Sequence, residues 1–142
     1  MNFKIGLGVF ALVVSSLLPA TADAAPSGIE LLAQGDRLWE QGKVEEARKS
    51  FELAVSTNPG SVDARLKLGG MLLSNKDYSA AIQTYQQTIS LDGNNAKAWM
   101  GLGFAYLHTG RQELSRAAFG EAVRSDPKRK PQLARLMEKQ AE

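Results

Sequence analysis

Residues 96–127 read AKAWMGLGFAYLHTGRQELSRAAFGEAVRSDP, and the organisation of the chain follows from this stretch. Trp99, Leu102 and Tyr106 share one stripe at helical spacing, which predicts an amphipathic helix over 96–109. Gly110 stops it, as glycine does just past a helix end. Leu114, Ala117, Ala118, Phe119, Ala122 and Val123 predict a second amphipathic helix over 113–125, followed by Pro127. Two short helices joined by a tight turn pack antiparallel.

The same chemistry recurs twice upstream in steps of 34 residues. Gly103 falls on Gly69 and Gly35, Tyr106 on Leu72 and Leu38, and Phe119 on Tyr85 and Phe51. Ala122 falls on Thr88 and Ala54, and Pro127 on Gly93 and Pro59. A helix-interior glycine costs roughly 1 kcal/mol relative to alanine. One such glycine in every copy therefore points to a close helix approach that a side chain would block.

This period, with the skeleton W-x2-L-G-x2-Y, then F, A and P, resembles the tetratricopeptide repeat (TPR). The resemblance covers about 28–127 as three repeats, at 28–61, 62–95 and 96–127. It implies an all-α fold, a right-handed superhelical stack of three helix-turn-helix hairpins with a concave groove. Residues 128–142 are expected to add a C-terminal capping helix, with Pro131 in its first turn and Leu133, Leu136 and Met137 at helical spacing.

The copies differ. In repeat one, Gly42 ends the first helix, the second is expected over 45–57, and Leu31 and Gln34 stand where repeat three has Trp99 and Leu102. A terminal repeat is expected to be atypical. In repeat two, Ser61 and Asp77 are placed to cap the two helices. Asn75-Lys76 makes the turn in place of glycine. Arg65 replaces the tryptophan and Thr88 a small apolar residue, which predicts the loosest packing of the three.

Residues 1–24 read as a secretory signal peptide outside the fold. Lys4 supplies the basic start, Ile5 to Leu18 the apolar run, and Ala22-Asp23-Ala24 the small-x-small pattern before a cut. The run is short for a membrane span, which needs about 20 residues. A membrane association is expected only if this segment stays uncleaved. The expected location is therefore outside the cytoplasm: a bacterial periplasm, or otherwise secreted.

Composition narrows the function. Lys+Arg 17 against Asp+Glu 15 gives a net charge of +2, too small an excess to argue for nucleic acid. The chain has no cysteine and one histidine, His108. No nucleophile elbow or clustered metal-ligand spacing accompanies that histidine. Gly69-Gly70 lies mid-helix with no preceding strand, so it is no phosphate loop. The reading is of no enzyme, no catalytic residues, no cofactor and no metal.

The resemblance implies that function lies on the concave stripe of each first helix. In this chain the stripe is Ile29, Leu32, Asp36, Trp39 and Glu40, then Asp63, Leu66, Gly70, Leu73 and Ser74, then Lys97, Met100, Phe104, Leu107 and His108. Well-known members of the family clamp a terminal carboxylate with lysines, arginines and asparagines on this stripe. Leu32, Asp36, Leu66, Gly70, Met100 and Phe104 occupy those places here. An apolar extended peptide or amphipathic helix is thus the expected partner of the groove. Phe104 is expected to stand exposed at its middle, where truncation costs binding rather than stability. The alternative is self-association, with the oligomer as the working unit. N-terminal sequencing of exported material is expected to return Ala25 as the first residue; Met1 retained in a membrane fraction would contradict the export reading.

Overall fold

The computed structural model describes residues 24–139, so the segment read as a signal peptide lies almost wholly outside the described residues. Seven α-helices follow in order: α1 (Gly28–Glu40), α2 (Val44–Thr57), α3 (Val62–Ser74), α4 (Tyr78–Leu91), α5 (Ala96–His108), α6 (Gln112–Ser125) and α7 (Lys130–Lys139). A single 3-10 turn, Pro127–Arg129, leads into α7, and there is no strand among the described residues. The chain is all-α, a stack of three helical hairpins closed by one further helix.

Local chemistry sets the ends of the hairpins. Ser27, Ser61 and Asn95 precede α1, α3 and α5, and each side-chain oxygen accepts from a backbone N–H three residues on. These caps satisfy donors that a helix start leaves unpaired. Glu30 completes the first cap by accepting the Ser27 N–H at 2.7 Å. That bond to the backbone, helped by the Ser27 side chain, holds the Glu30 carboxyl below its ordinary range. Asp77 caps α4 as expected. Each hairpin turns on a left-handed residue: Gly42 and Gly110 at φ 73° and Lys76 at φ 64°. Lysine takes this conformation only at a cost, so the Asn75-Lys76 turn is set by its flanking helices rather than by its own preference.

The hairpins are glued by aromatic rings laid on glycines. A Cβ built on Gly35 would lie 2.5 Å from the Phe51 ring, on Gly69 2.9 Å from Tyr85, and on Gly103 2.5 Å from Phe119. No real side chain tolerates such contacts, so the three glycines are required by close packing. The approach also brings Ser115 Oγ within 2.8 Å of the Gly103 carbonyl, to which it donates. Thr88 does not loosen repeat two: it is fully buried and its hydroxyl donates to the Thr84 carbonyl at 2.8 Å. Arg65, at the position of Trp99, donates to the Pro59 carbonyl.

Successive hairpins pack through α2 on α3 and α4 on α5. The first helices also touch one another, α1 with α3 and α3 with α5, whereas α2, α4 and α6 make no comparable mutual approach. The stack therefore bends toward the first helices, which line its inner face. At the far end Leu133 of α7 is 1% exposed, sealed against Phe119 and Ala122. At the near end Gln34, Glu46 and Lys49 line the outer side of repeat one. They stand where Leu102, Leu114 and Ala117 stand in repeat three. The capped end is apolar, whereas the open end sets these polar side chains beside Leu31, Leu38 and Leu53.

Gly103→Leu is expected to lower stability by roughly 1–3 kcal/mol, because a side chain there must displace the Phe119 ring. Gly120→Ala is the control. A Cβ there meets nothing within 4 Å, so that change should raise stability by up to about 1 kcal/mol. Urea melts of both variants provide the measurement.

Candidate binding groove

The inner face carries two adjoining cavities. The first, about 200 Å³, lies between α1 and α3 and is lined by Asp36, Trp39, Phe51, Leu66, Lys67, Gly70, Met71 and Ser74. The second, about 290 Å³, lies between α3 and α5 and is lined by Leu66, Leu73, Tyr85, Lys97, Met100, Gly101, Phe104 and Arg129. Leu66 lines both, so they form one continuous surface. Its floor is supplied by the rings of the second helices, which reach through the gaps between first helices.

Most of the residues expected on this face come together here. Asp36, Trp39, Leu66 and Gly70 meet in the first cavity, and Leu73, Lys97, Met100 and Phe104 in the second. Trp39 is 36% exposed, which makes it one of the chain's exposed large apolar side chains. Leu32 lies further along, in a separate recess with Ile29 and Ala64 at the start of the stack. Leu107 is half-buried beyond the second cavity. His108 is exposed at the end of α5, where its ring stacks on Tyr78 at 5.0 Å and 6° between planes.

The structure corrects the expectation for Phe104. Its ring meets Phe119 edge to face at 5.1 Å and packs on the cluster that holds Leu133. Phe104 is half-buried against the cluster that Phe119, Ala122 and Leu133 form. Met100 is drawn the same way: Arg129, from the turn before α7, places its guanidinium 3.6 Å from the Met100 sulfur. Leu114 departs from expectation in the other direction. It is 49% exposed and lines an outer recess between α4 and α6 rather than a hairpin core.

Besides the core residues Phe51 and Met71, four groove residues escaped the sequence reading. Lys67 lies off the expected stripe, yet its ammonium reaches both Asp36 carboxylate oxygens at 2.8 and 2.9 Å, which ties α3 to α1 across the first cavity. Both side chains are partly solvated, so the pair stabilises little on its own. Arg129 belongs to the closing segment, and only the fold brings it to the groove. Tyr85 and Gly101 belong together. Tyr85 is 5% exposed, and a Cβ on Gly101 would sit 2.6 Å from its hydroxyl. The legible signal was a tyrosine where the other repeats have Phe51 and Phe119. Burial pushes the Tyr85 phenol up to about 12, so it is protonated at neutral pH. Among the described residues no three potential metal-ligating side chains cluster.

Comparison with known proteins agrees with this geometry. Two family models, each described as tetratricopeptide repeat, match residues 32–96 and 72–139. A peroxisomal targeting signal receptor of Pichia angusta is 34% identical over 112 residues, covering 79% of this chain and 18% of that protein. One from Komagataella phaffii is 40% identical over 77 residues, covering 54% of this chain and 13% of that protein. The chain thus spans less than a fifth of the length of these relatives. Among solved structures, the first TPR of Spaghetti (RPAP3) bound to an HSP90 peptide superposes with a TM-score of 0.76 at 16% identity, covering 81% of this chain and 90% of that one. MamA superposes with a TM-score of 0.68 at 24% identity, covering 72% and 60%.

Phe104→Ala is expected to lower stability by about 2 kcal/mol, below the 3–5 kcal/mol of a fully buried phenylalanine because part of the ring is solvated. Leu102→Ala, a truncation at a buried position, should cost about 2–5 kcal/mol. Chemical denaturation of the two variants side by side tests the order.

Proposed function

Because the chain belongs to the tetratricopeptide repeat family, we propose that it is an exported adaptor that binds a protein or peptide on its inner face. Binding, not catalysis, is its work: the groove joins apolar walls to the charged Asp36, Lys67, Lys97 and Arg129, and the chain's one histidine lies outside both cavities. The observation that carries this reading is the continuity of the two cavities through Leu66, with Trp39 exposed at one end. A surface of this kind, apolar in the middle and charged at its rim, marks an interaction site.

The relatives support the reading at the level of the module. The RPAP3 domains are described with HSP90 and HSP70 peptides bound, and the longer relatives are targeting-signal receptors. Export is argued from residues 1–24 alone and places the partner in the periplasm or outside the cell. Assembly of an envelope or secreted complex is the role that fits a small adaptor there.

Self-association is the alternative. Its surface is the open outer side of repeat one, where Leu53 is 50% exposed. Gln34, Glu46 and Lys49 share that recess with Leu31, Leu38 and Leu53, so it joins apolar and charged side chains.

Capture from an exported fraction with purified residues 25–142 as bait tests the adaptor reading. A partner recovered by the wild type should be lost with Trp39→Ala; Trp39 is 36% exposed, so the variant's melting is recorded beside its capture and recovery is compared below its melting midpoint. A single hot-spot aromatic can cost 2 kcal/mol or more in binding, roughly a thirtyfold loss of affinity. Equal recovery by both baits would move the site off this face. Light scattering at several concentrations should show a monomer; concentration-dependent growth would favour the oligomer.

A further inference from the structure

Charge is not spread evenly along the stack. Residues 24–123 carry ten Lys and Arg against eleven Asp and Glu, a net charge of −1. Residues 124–139 are the end of α6, the 3-10 turn and α7, and they carry six against two, a net charge of +4. The positive excess of the described chain therefore sits wholly at its closed end. Asp126, one of the two acids there, is committed within the turn. It accepts the Lys128 backbone N–H and pairs with Arg129 Nε at 3.1 Å. Arg124 pairs with Glu121 at 2.8 Å. Lys128, Lys130 and Arg135 are exposed, and none has an ion pair among the described residues.

The fold gives these three cations little to do. Lys130 opens α7, the end of a helix at which the dipole disfavours positive charge. The apolar side of α7 is turned inward: Leu133 is 1% exposed, and Leu136 and Met137 pack on the cluster of Phe119 and Ala122. Outward, α7 presents Gln132, Arg135 and Glu138, all exposed. Lys128, Lys130 and Arg135 line neither inner cavity, so they form an open charged surface rather than a pocket for one small anion.

We propose that the closed end of the stack docks on an anionic phospholipid membrane, with Lys128, Lys130 and Arg135 facing headgroup phosphates. Clusters of four to eight cations on an amphipathic helix and its flank have this affinity. With its apolar side already packed on the stack, α7 stays at headgroup level and does not enter the hydrocarbon. Lipid is chosen over nucleic acid because the standing anionic surface outside the cytoplasm is the membrane, and that choice rests on the export reading. The contact is peripheral and does not need residues 1–24. Arg129 belongs to the same segment and lines the second inner cavity, so docking sets that end of the groove beside the membrane.

The test is co-sedimentation of residues 25–142 with vesicles. This chain holds every described helix and leaves out the apolar run, so any binding comes from the stack. Vesicles containing phosphatidylglycerol are expected to carry the protein down, vesicles of phosphatidylcholine alone are not, and added salt should release it. Each cation at such a surface is worth about fivefold in partitioning. Lys128→Gln with Lys130→Gln should therefore weaken binding by about twenty-fivefold at an unchanged melting midpoint. Lys43→Gln with Lys49→Gln makes the same change in net charge at exposed places in repeat one, and should leave binding nearly intact. The proposal is overturned if neither vesicle binds, if phosphatidylcholine binds equally, or if both double variants lose binding alike. It is also overturned if inorganic phosphate at constant ionic strength displaces the protein, which would mean a site for single phosphates. Binding to duplex DNA or to polyglutamate as tight as to the vesicles would overturn it in favour of those partners. Trp39→Ala should bind vesicles like the wild type, so loss of the groove reading and loss of this one are read separately.

Discussion

Everything in this stack depends on an aromatic ring from each second helix packing tightly against a glycine of its first helix. Phe51 on Gly35, Tyr85 on Gly69 and Phe119 on Gly103 hold the helix pairs closer than any side chain would permit. The price is a glycine in mid-helix. The return is a ring that is almost wholly removed from water, with 3, 5 and 0% of its residue exposed in the three copies. Burial of a large aromatic side chain outweighs the roughly 1 kcal/mol that each glycine costs.

The same contact creates the groove. A ring that passes over glycine continues into the gap between neighbouring first helices, so its far edge becomes the floor of the inner face. Phe51 and Tyr85 therefore serve core and surface together. Phe119 does not, because α7 and Phe104 cover it. The closing helix thus sets where the groove ends. Its approach through Arg129 also brings a cation to a face whose own helices supply Lys67 and Lys97.

Curvature follows from which helices touch. First helices approach one another, while second helices stand apart and leave an outer recess of about 370 Å³ around Trp99, Ile89 and Leu114. Trp99 spans that recess and donates its indole N–H to the Gly93 carbonyl at 2.7 Å, which pins the loop between repeats two and three. Arg65 does similar work one repeat earlier by bonding the Pro59 carbonyl. Two different residues at one repeat position thus solve one problem, a loop carbonyl near the start of a first helix.

The sequence by itself determined the helices, their order and their pairing. Local rules suffice for that: Ser61 and Asp77 cap, Gly42, Asn75-Lys76 and Gly110 turn, and the stripe of apolar residues declares the buried face. The recurrence of glycine opposite an aromatic residue even disclosed the hairpin contact, because both partners repeat with the same period. The second helices of repeats one and three begin one residue earlier than the pattern suggested, at Val44 and Gln112, where no side-chain cap marks the start. Only the tertiary structure decided how exposed each inner residue is. Phe104 and Met100 sit on the same stripe as Trp39, yet the cluster of Phe119, Ala122 and Leu133, with Arg129 beside Met100, partly buries the first two and leaves the third more open. That outcome depends on a segment about 25 residues further along the chain, and no local spacing carries it. The Tyr85 ring likewise reaches the groove floor only because Gly70 and Gly101, from two different helices, stand beside its end. Periodicity reports which face of a helix is buried; what buries it, and where the cover stops, is a matter of contacts between parts of the chain that are distant in sequence.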